Sequence, residues 1–395
     1  MDFGVYVHVP FCRRQCAYCT FFTLPRPERE AEMSRFLDAV WVEWQLRVKP
    51  RLDRGHCLRT LYLGGGTPSD LPPRALGTFL QRLGASVPAG LKALEEVTVE
   101  CNPESATPPT LDRLRAGGVG RISLGVQSVH PEDLRRLGRR ATPRQIEAAL
   151  DAVAARFPTW NADLILGIPG SNERRLLAAL DVLAARRAPH LSLYCLELPR
   201  ARAEIVGDPQ TEASEAAKTT LYELASHWLS EHGYEHYEIS NAALPGHAAR
   251  HNTAYWAGRE YVGLGPGAHS FEGQTRRANR ADLGHYVAAL NSGSEPPAQR
   301  QQLSAAERWR ESVLLGLRRR RGVDLDELGL QAQQAWIEAL CRQGLAELQG
   351  SRLWLLPRGW LVMDSIVLQM VTAAEERPAR LTSGSRPRYI RPSSR

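Results

Sequence analysis

The chain has 395 residues, of which 43% are apolar and 24% charged, with a formal charge of +7. These are globular values, enough for one large core and a smaller second domain, and they exclude a disordered or fibrous chain. No run of about 18 apolar residues and no charged-then-apolar leader occurs, so the expected compartment is the cytoplasm, with no membrane span or signal peptide.

The charge is not spread evenly. Six arginines lie between residues 377 and 395 with no acidic residue among them, so the rest of the chain is close to neutral at +1. A near-neutral body argues against a nucleic-acid surface, and the Pro-, Ser- and Arg-rich stretch 374–395 is expected to be a disordered basic tail.

At the other end, residues 5–22 read VYVHVPFCRRQCAYCTFF: an apolar strand broken at Pro10, then Cys12, Cys16 and Cys19. Four readings of this C-x3-C-x2-C spacing compete. Structural zinc needs a fourth ligand, His8 or a distant residue. A disulfide leaves an odd thiol and needs an oxidising compartment. Chance spacing of small buried residues is the plainest. An iron–sulfur cluster held by three thiolates, with one iron left open to a small molecule, suits the count best. Cys57, Cys101, Cys195 and Cys341 are scattered in apolar surroundings and read as small buried residues.

Beyond the cysteines, apolar and β-branched runs at 3–9, 60–63, 97–101, 121–126, 161–167 and 190–196 alternate with helical periodicity at 33–48, 74–83, 110–115, 142–156, 173–186 and 212–231. Repeated strand–helix alternation gives an α/β fold with a parallel sheet, closed most simply as an open, incomplete (β/α)6 barrel over residues 1–232. Functional groups in such barrels gather after the C-terminal ends of the strands. The cysteines, Gly64-Gly65-Gly66-Thr67-Pro68, Glu100-Cys101-Asn102-Pro103 and Gln127-Ser128 all fall there, and Asp163 lies within the fifth strand. Glu100 could accept hydrogen bonds from ribose hydroxyls or form a rim ion pair.

Residues 233–290 are expected as an irregular segment closing the barrel, 291–303 as a linker and 304–373 as a small α+β, winged-helix-like domain. In the last, helices at 305–321, 325–329 and 333–343 precede a hairpin (345–348 and 353–356) and a helix at 360–371. Arg318 to Arg321 could touch phosphates or favour the negative end of their helix.

The run Tyr6-Val7-His8-Val9-Pro10-Phe11-Cys12 with C-x3-C-x2-C resembles the radical S-adenosylmethionine (SAM) superfamily, within it the oxygen-independent coproporphyrinogen III oxidases and their heme-chaperone relatives. The resemblance implies a [4Fe-4S] cluster on Cys12, Cys16 and Cys19, with SAM chelated at the open iron. It implies SAM contacts from Tyr6, Gly65, Gly66, Thr67, Glu100, Gln127, Arg139 and Asp163, with His8 near the barrel interior. His251-Asn252-Thr253-Ala254-Tyr255-Trp256 matches the H-N-x-x-Y-W of the heme-chaperone branch. It makes His251 the heme candidate, expected at the barrel mouth, with His269 and His247 as further candidates. Two departures separate the branches: Phe21 stands where the oxidases have a further cysteine, and only eleven residues precede Cys12. Thr20 departs from the Asp or Asn usual after the third cysteine.

The expectation is therefore a heme chaperone that binds the cluster, SAM and heme, passes heme to heme-accepting proteins and lacks coproporphyrinogen oxidase activity. Its partners would be those acceptors and an electron donor, with peripheral membrane association through acceptors and no nucleic acid. The alternatives are the oxidase itself and, from another class, a winged-helix nucleic-acid-binding regulator.

Overall fold

Strands in which apolar and polar residues alternate lay down the frame. In the computed structural model, which describes residues 1–197 and 214–375, these are β1 Asp2–Val9, β2 Cys57–Gly65, β3 Glu96–Cys101, β4 Arg121–Gln127, β5 Thr159–Leu166 and β6 His190–Cys195. They pair in parallel in sequence order. Helices α1 Glu30–Arg47, α2 Pro73–Ser86, α3 Pro108–Ala116, α4 Pro143–Ala154, α5 Glu173–Ala185 and α6 Glu215–Glu231 cover the outside. Their starts are written locally. Proline opens α2, α3 and α4, Thr142 and Gln145 form a capping box on α4, and Asn172 and Ser214 cap α5 and α6.

Each strand sends one set of side chains outward and the other inward. Val5, Val7, Leu61, Leu63, Val97 and Val99 are buried in one core shared with the helices. The inward set is polar: Tyr62 bonds Glu100 and Ser123 bonds Asn161 and Asp163 across strands, while Tyr6 contacts His8 on its own strand. A (β/α) barrel with no ligand in its interior fills it with apolar layers; a polar interior is a lumen built to hold something.

The sheet runs well beyond six strands. β7 Glu235–Glu238 and β8 Asn241–Ala243 add antiparallel strands beside β6. On the other flank β9 Glu260–Leu264 pairs in parallel with β1, followed by antiparallel β10 His269–Glu272, β11 Thr275–Asn279 and β12 Ala298–Gln302. The twelve strands run β12-β11-β10-β9-β1-β2-β3-β4-β5-β6-β8-β7, so the barrel is open. The stretch 233–290, expected as irregular, is thus largely regular, with helices α7 Arg250–Trp256 and α8 Leu283–Asn291 between its strands. The expected linker 291–303 carries β12. Residues 299–302 of that edge strand are Gln, Arg, Gln and Gln, all exposed, which leaves no apolar alternation to read.

Buried Glu43 on α1 ties the extension down. Its carboxylate accepts from Arg47, Asn279, Tyr286 and the amide of Gly265. A buried charge with this many donors is well satisfied.

The C-terminal domain has α9 Ala305–Leu317, β13 Val323–Asp324, α10 Leu325–Leu328, α11 Gln334–Arg342, β14 Ala346–Gln349, β15 Arg352–Leu355, α12 Pro357–Leu361 and α13 Met363–Glu375. Its three-stranded sheet, β13-β15-β14, gives the expected winged-helix-like order. It docks on the sheet edge: the Ile239 amide donates to the Arg318 carbonyl at 2.9 Å, and the Arg320 amide to the Tyr237 carbonyl at 3.0 Å. Among the described residues no helix is long and apolar enough to cross a membrane. The tail expected to be disordered lies, from residue 376 on, outside the described residues.

Candidate functional site

The cysteine loop sits over the C-terminal ends of β1 to β4. Its neck is closed where Phe11–Cys12 pairs with Leu24–Pro25, the Arg26 amide donating to the Cys12 carbonyl at 2.8 Å. Cys12, Cys16 and Cys19 are half-buried, and none of the seven cysteines forms a disulfide. A polar chain braces the loop. Cys12 Sγ lies 3.6 Å from Thr67 Oγ1, and Asn102 Nδ2 donates to that hydroxyl at 2.9 Å. Arg139 donates to Asn102 Oδ1 at 2.9 Å, to the Gly125 carbonyl at 2.8 Å and, through Nη1, toward Cys16 Sγ at 3.7 Å. Thr67, Asn102 and Arg139 thus connect the ends of β2, β3 and β4 to two of the three thiols.

Burial pushes the Cys12 thiol up to about 11, with Cys16 and Cys19 adding to the shift against the Thr67 hydrogen bond. The Cys12 thiol is therefore costly to ionise without a cation beside it, and coordinated iron supplies one. The single-zinc alternative fits poorly. Among the described residues no three His, Cys, Asp or Glu side chains are gathered to hold one metal ion. Nor is His8 a spare ligand, since its Nε2 contacts the Phe22 carbonyl at 2.7 Å and its Nδ1 the Tyr6 hydroxyl at 3.1 Å. Thiols that each bind a different iron of a cluster need to be spread more widely than those on one ion.

The glycine turn after β2 is built around the chain itself. The Gly65 amide donates to Glu100 Oε2 at 3.0 Å, the Gly66 amide to the Val9 carbonyl at 2.7 Å and the Thr67 amide to the Phe11 carbonyl at 2.8 Å. Side chains have no room here. A Cβ on Gly66 would come within 2.5 Å of the Phe11 carbonyl oxygen, and Gly65, at φ 106°, within 2.5 Å of His8. The three glycines let β2 run flush against the root of the cysteine loop, and their amides are used within the protein.

Glu100 faces the lumen, where the Tyr62 hydroxyl donates to its Oε1 at 2.7 Å. Desolvation by the lumen walls pushes its carboxyl up to about 7, opposed by the Tyr62 hydrogen bond and reinforced by nearby Asp163. Asp163 is raised as well, for the same reason, against hydrogen bonds from Asn161, Ser192 and Ser123. Gln127 ends β4 just after a break in register and holds φ at 68°, a strained value for a residue with a side chain. A Cβ on Gly125 would lie 3.1 Å from Gln127 Nε2, 3.2 Å from Asn102 Oδ1 and 3.7 Å from Arg139. The small residue at 125 is what allows these three to converge. Arg139 Nε is buried with no partner, a donor left over at the site. These features fit an anionic, polyhydroxylated ligand at the mouth.

Among the residues expected from the sequence, Tyr6, Gly65, Gly66, Thr67, Glu100, Gln127, Arg139 and Asp163 lie on the lumen or at its mouth with the cysteines. Asn102, named above only within the stretch that closes the third strand, belongs there too, as do Gly125, Tyr62 and Tyr194, the last 43% exposed at the end of β6, which were not singled out. The strict polar alternation within each strand was the signal for the lumen residues.

His251 stands apart. Expected at the mouth, it lies at the opposite end, beside the starts of β1 and β2. It is 1% exposed, with Nδ1 2.8 Å from Thr60 Oγ1 and Nε2 2.8 Å from the Tyr255 hydroxyl, and its ring stacks on Tyr62. Burial pushes it down to about 3. The reason is α7, which plugs the bottom of the barrel: its first amides, Arg250 and His251, donate to Glu96 at 2.8 and 3.4 Å. His247 contacts Thr159 at the same end, while His269 is exposed at the start of β10, near His8. The stretch 247–269 therefore spans both ends of the barrel and does not gather its histidines at the mouth.

Residues 6–183 match the family model of the radical SAM superfamily, and residues 303–362 that of the HemN C-terminal domain. The chain is 38% identical over 370 residues to the heme chaperone HemW of Mycobacterium tuberculosis, covering 92% of this chain and 94% of that one. It is 32% identical to HemW of Lactococcus lactis, covering 81% and 82%. It is 31% identical to the mitochondrial radical S-adenosyl methionine domain-containing protein 1 of Bos taurus, covering 98% and 91%. Among solved structures it is similar to coproporphyrinogen III oxidase (HemN) from Escherichia coli, with a TM-score of 0.79 over 94% of this chain and 90% of that one. At 23% identity this is a likeness of fold.

Proposed function

The chain belongs to the radical SAM superfamily, in the family of the heme chaperone HemW, and from that premise we propose that it is itself a heme chaperone. Cys12, Cys16 and Cys19 would hold a [4Fe-4S] cluster, which supplies one electron and an open iron when bound. Glu100 would accept hydrogen bonds from the ribose hydroxyls of SAM, and the raised basicity of its carboxylate strengthens that role. Asp163, Gln127 and Tyr6 would line the remainder, and Arg139 would offer its spare Nε to the anionic end. The glycine turn contributes shape more than amide donors, since its amides are already engaged.

The observation that favours chaperone over oxidase is Phe21. It is 61% exposed, two positions after Cys19, where the oxidase pattern has a further cysteine. Heme would pass to acceptor proteins, some reached at a membrane surface, in a reducing compartment such as the cytoplasm. An electron donor would serve the cluster, and no nucleic acid enters this reading. Anaerobic reconstitution followed by heme titration and a coproporphyrinogen oxidase assay on the same sample tests it. Heme uptake without conversion of coproporphyrinogen III is the expected result; robust formation of protoporphyrinogen IX overturns it in favour of the oxidase.

A further inference from the structure

A row of aromatic rings crosses the barrel from the lumen to its flank. Tyr6 and Tyr62, inward-facing on β1 and β2, have ring centroids 6.0 Å apart. Tyr62 stacks on His251 at 5.2 Å, His251 meets Tyr255 edge-on at 4.6 Å, and Tyr255 lies 4.3 Å from Tyr261 on β9. The H-N-x-x-Y spacing sets His251 and Tyr255 four residues apart on one face of α7. Gly4 on β1 clears room for the imidazole: a Cβ there would lie 3.4 Å from two ring atoms of His251 and 2.9 Å from Thr60 Oγ1. At the far end Tyr261 is half-buried beside Arg276.

Three of these four phenols face a base. Tyr62 donates to Glu100 Oε1 at 2.7 Å. His8 Nε2 donates to the Phe22 carbonyl at 2.7 Å, which leaves Nδ1 bare to accept from the Tyr6 hydroxyl at 3.1 Å. His251 has Nδ1 against Thr60 and Nε2 against Tyr255, both at 2.8 Å, and burial keeps the ring neutral. With its proton on Nδ1, Nε2 accepts from Tyr255. Donor and acceptor within about 2.6–3.2 Å are in reach for proton transfer. A phenol that loses an electron becomes a strong acid, so a base already in place lets the proton leave with the electron.

Packing alone would be served by phenylalanine, which needs no partner for a hydroxyl. Among the described residues Tyr286 on Glu43 and Tyr237 beside His190 also face a base, but their ring neighbours are Phe36 and His190, with no second tyrosine to continue a row.

We propose that Tyr62, Tyr255 and Tyr261, with Tyr6 as a second entry, form a relay that carries an oxidising equivalent from the lumen to the flank of the barrel. The proposal rests on the reading that radical chemistry takes place in the lumen. A chaperone offers an oxidising radical there no substrate to quench it, and the walls are what it meets. An oxidant that takes one electron from Tyr62 leaves the phenol proton on Glu100. An electron from Tyr255 then refills Tyr62, which recovers its proton from Glu100, while the Tyr255 proton moves to His251 Nε2. Tyr261 refills Tyr255 in the same way, His251 returns its proton, and the Tyr261 proton goes to solvent. The net change is one electron and one proton lost from Tyr261, which a thiol in solution restores as a hydrogen atom. His251 holds a proton in transit and stays unoxidised.

The test mixes the full-length, anaerobically reconstituted protein with hydrogen peroxide, whose O–O bond is cleaved by one electron from iron to give hydroxide and a hydroxyl radical at the mouth. Freeze-quench electron paramagnetic resonance reads tyrosyl radicals, and peptide mapping reads which tyrosines are oxidised. The parent should give a tyrosyl signal and oxidised Tyr261. The double variant Tyr6→Phe, Tyr62→Phe should lose oxidation at Tyr255 and Tyr261, and Tyr255→Phe should keep it at Tyr62 and lose it at Tyr261. Cluster absorbance and circular dichroism before peroxide report that each variant is folded. Tyr261 oxidised to the same extent in the parent and in both variants overturns the relay, because that residue is then attacked from solution. A parent that assembles no cluster overturns the reading on which the relay rests.

Discussion

At the scale of single residues, the mouth separates groups that act on a ligand from groups that let the chain fold around it. Glu100 is of the first kind. Its folded carboxyl titrates near 7 against an ordinary 4.5, so the folded state holds the proton more tightly, and the ionised form costs stability above pH 7. Glu100→Gln should therefore raise the melting temperature at pH 8, with the gain fading as pH falls toward 4.5. In calorimetry it should weaken SAM binding about tenfold, through loss of a charge-assisted hydrogen bond, with the cluster retained. A variant less stable at pH 8, or with parental SAM affinity, would contradict this role. Gly66 is of the second kind. Because its Cβ position lies against the Phe11 carbonyl, Gly66→Ala should displace the cysteine loop and lose iron and sulfide as well as SAM. Iron retained at the parental level in that variant would show that the loop adapts.

Helix α7 carries the lesson at the scale of elements. Its H-N-x-x-Y-W motif was legible as a motif, but its direction was not, because a seven-residue helix places His251 and Trp256 on different faces and only packing decides which face meets what. With Glu96 satisfying its first amides and Thr60 and Tyr255 engaging the ring, α7 is a plug. His251→Gln can satisfy one of the two hydroxyl partners, so it should cost roughly 1–3 kcal/mol in denaturant unfolding. The Soret band of heme-loaded protein should stay in place. A shifted band with undiminished stability would return the ligand to His251. The added strands were hidden for a different reason: β7 and β8 are four and three residues long, and β12 is a polar edge.

For the molecule as a whole, the polar lumen and the domain junction hold neutral histidines that resist protonation. His251 and His236 are pushed down to about 3 and 4, and His8 and His190 are lowered by desolvation too. Each lowered histidine binds its proton more readily when unfolded, so its contribution to stability is present above about pH 6.5 and lost as pH falls through the folded value. Glu100 and Glu238, both raised to about 7, act the other way between pH 7 and 4.5. Unfolding followed against pH should show a shallow decline from pH 6.5 to 4.5 and a steeper one below, with net proton uptake. His251→Gln should remove part of the steep limb; a parental slope in that variant would mean that other groups set the acid limit.

By itself the sequence determined what rests on local spacing. The cysteine triad, the glycine turn, the alternation of six strands and helices and the cap signals such as Thr142 with Gln145 are all patterns within a few residues, and the structure places them where those patterns imply. The polar alternation inside the strands was also written there, as period-two pairs such as Tyr6 with His8 and Asn161 with Asp163. Only the tertiary structure decided which end of the barrel receives α7, that the chain's own carbonyls and the Glu100 carboxylate use the amides of the glycine turn, and that Arg318 meets Trp256 across a domain junction. Each of these depends on groups distant in sequence being brought together by burial of the shared core. No local period encodes such a meeting, because the free energy that selects it belongs to the packed whole.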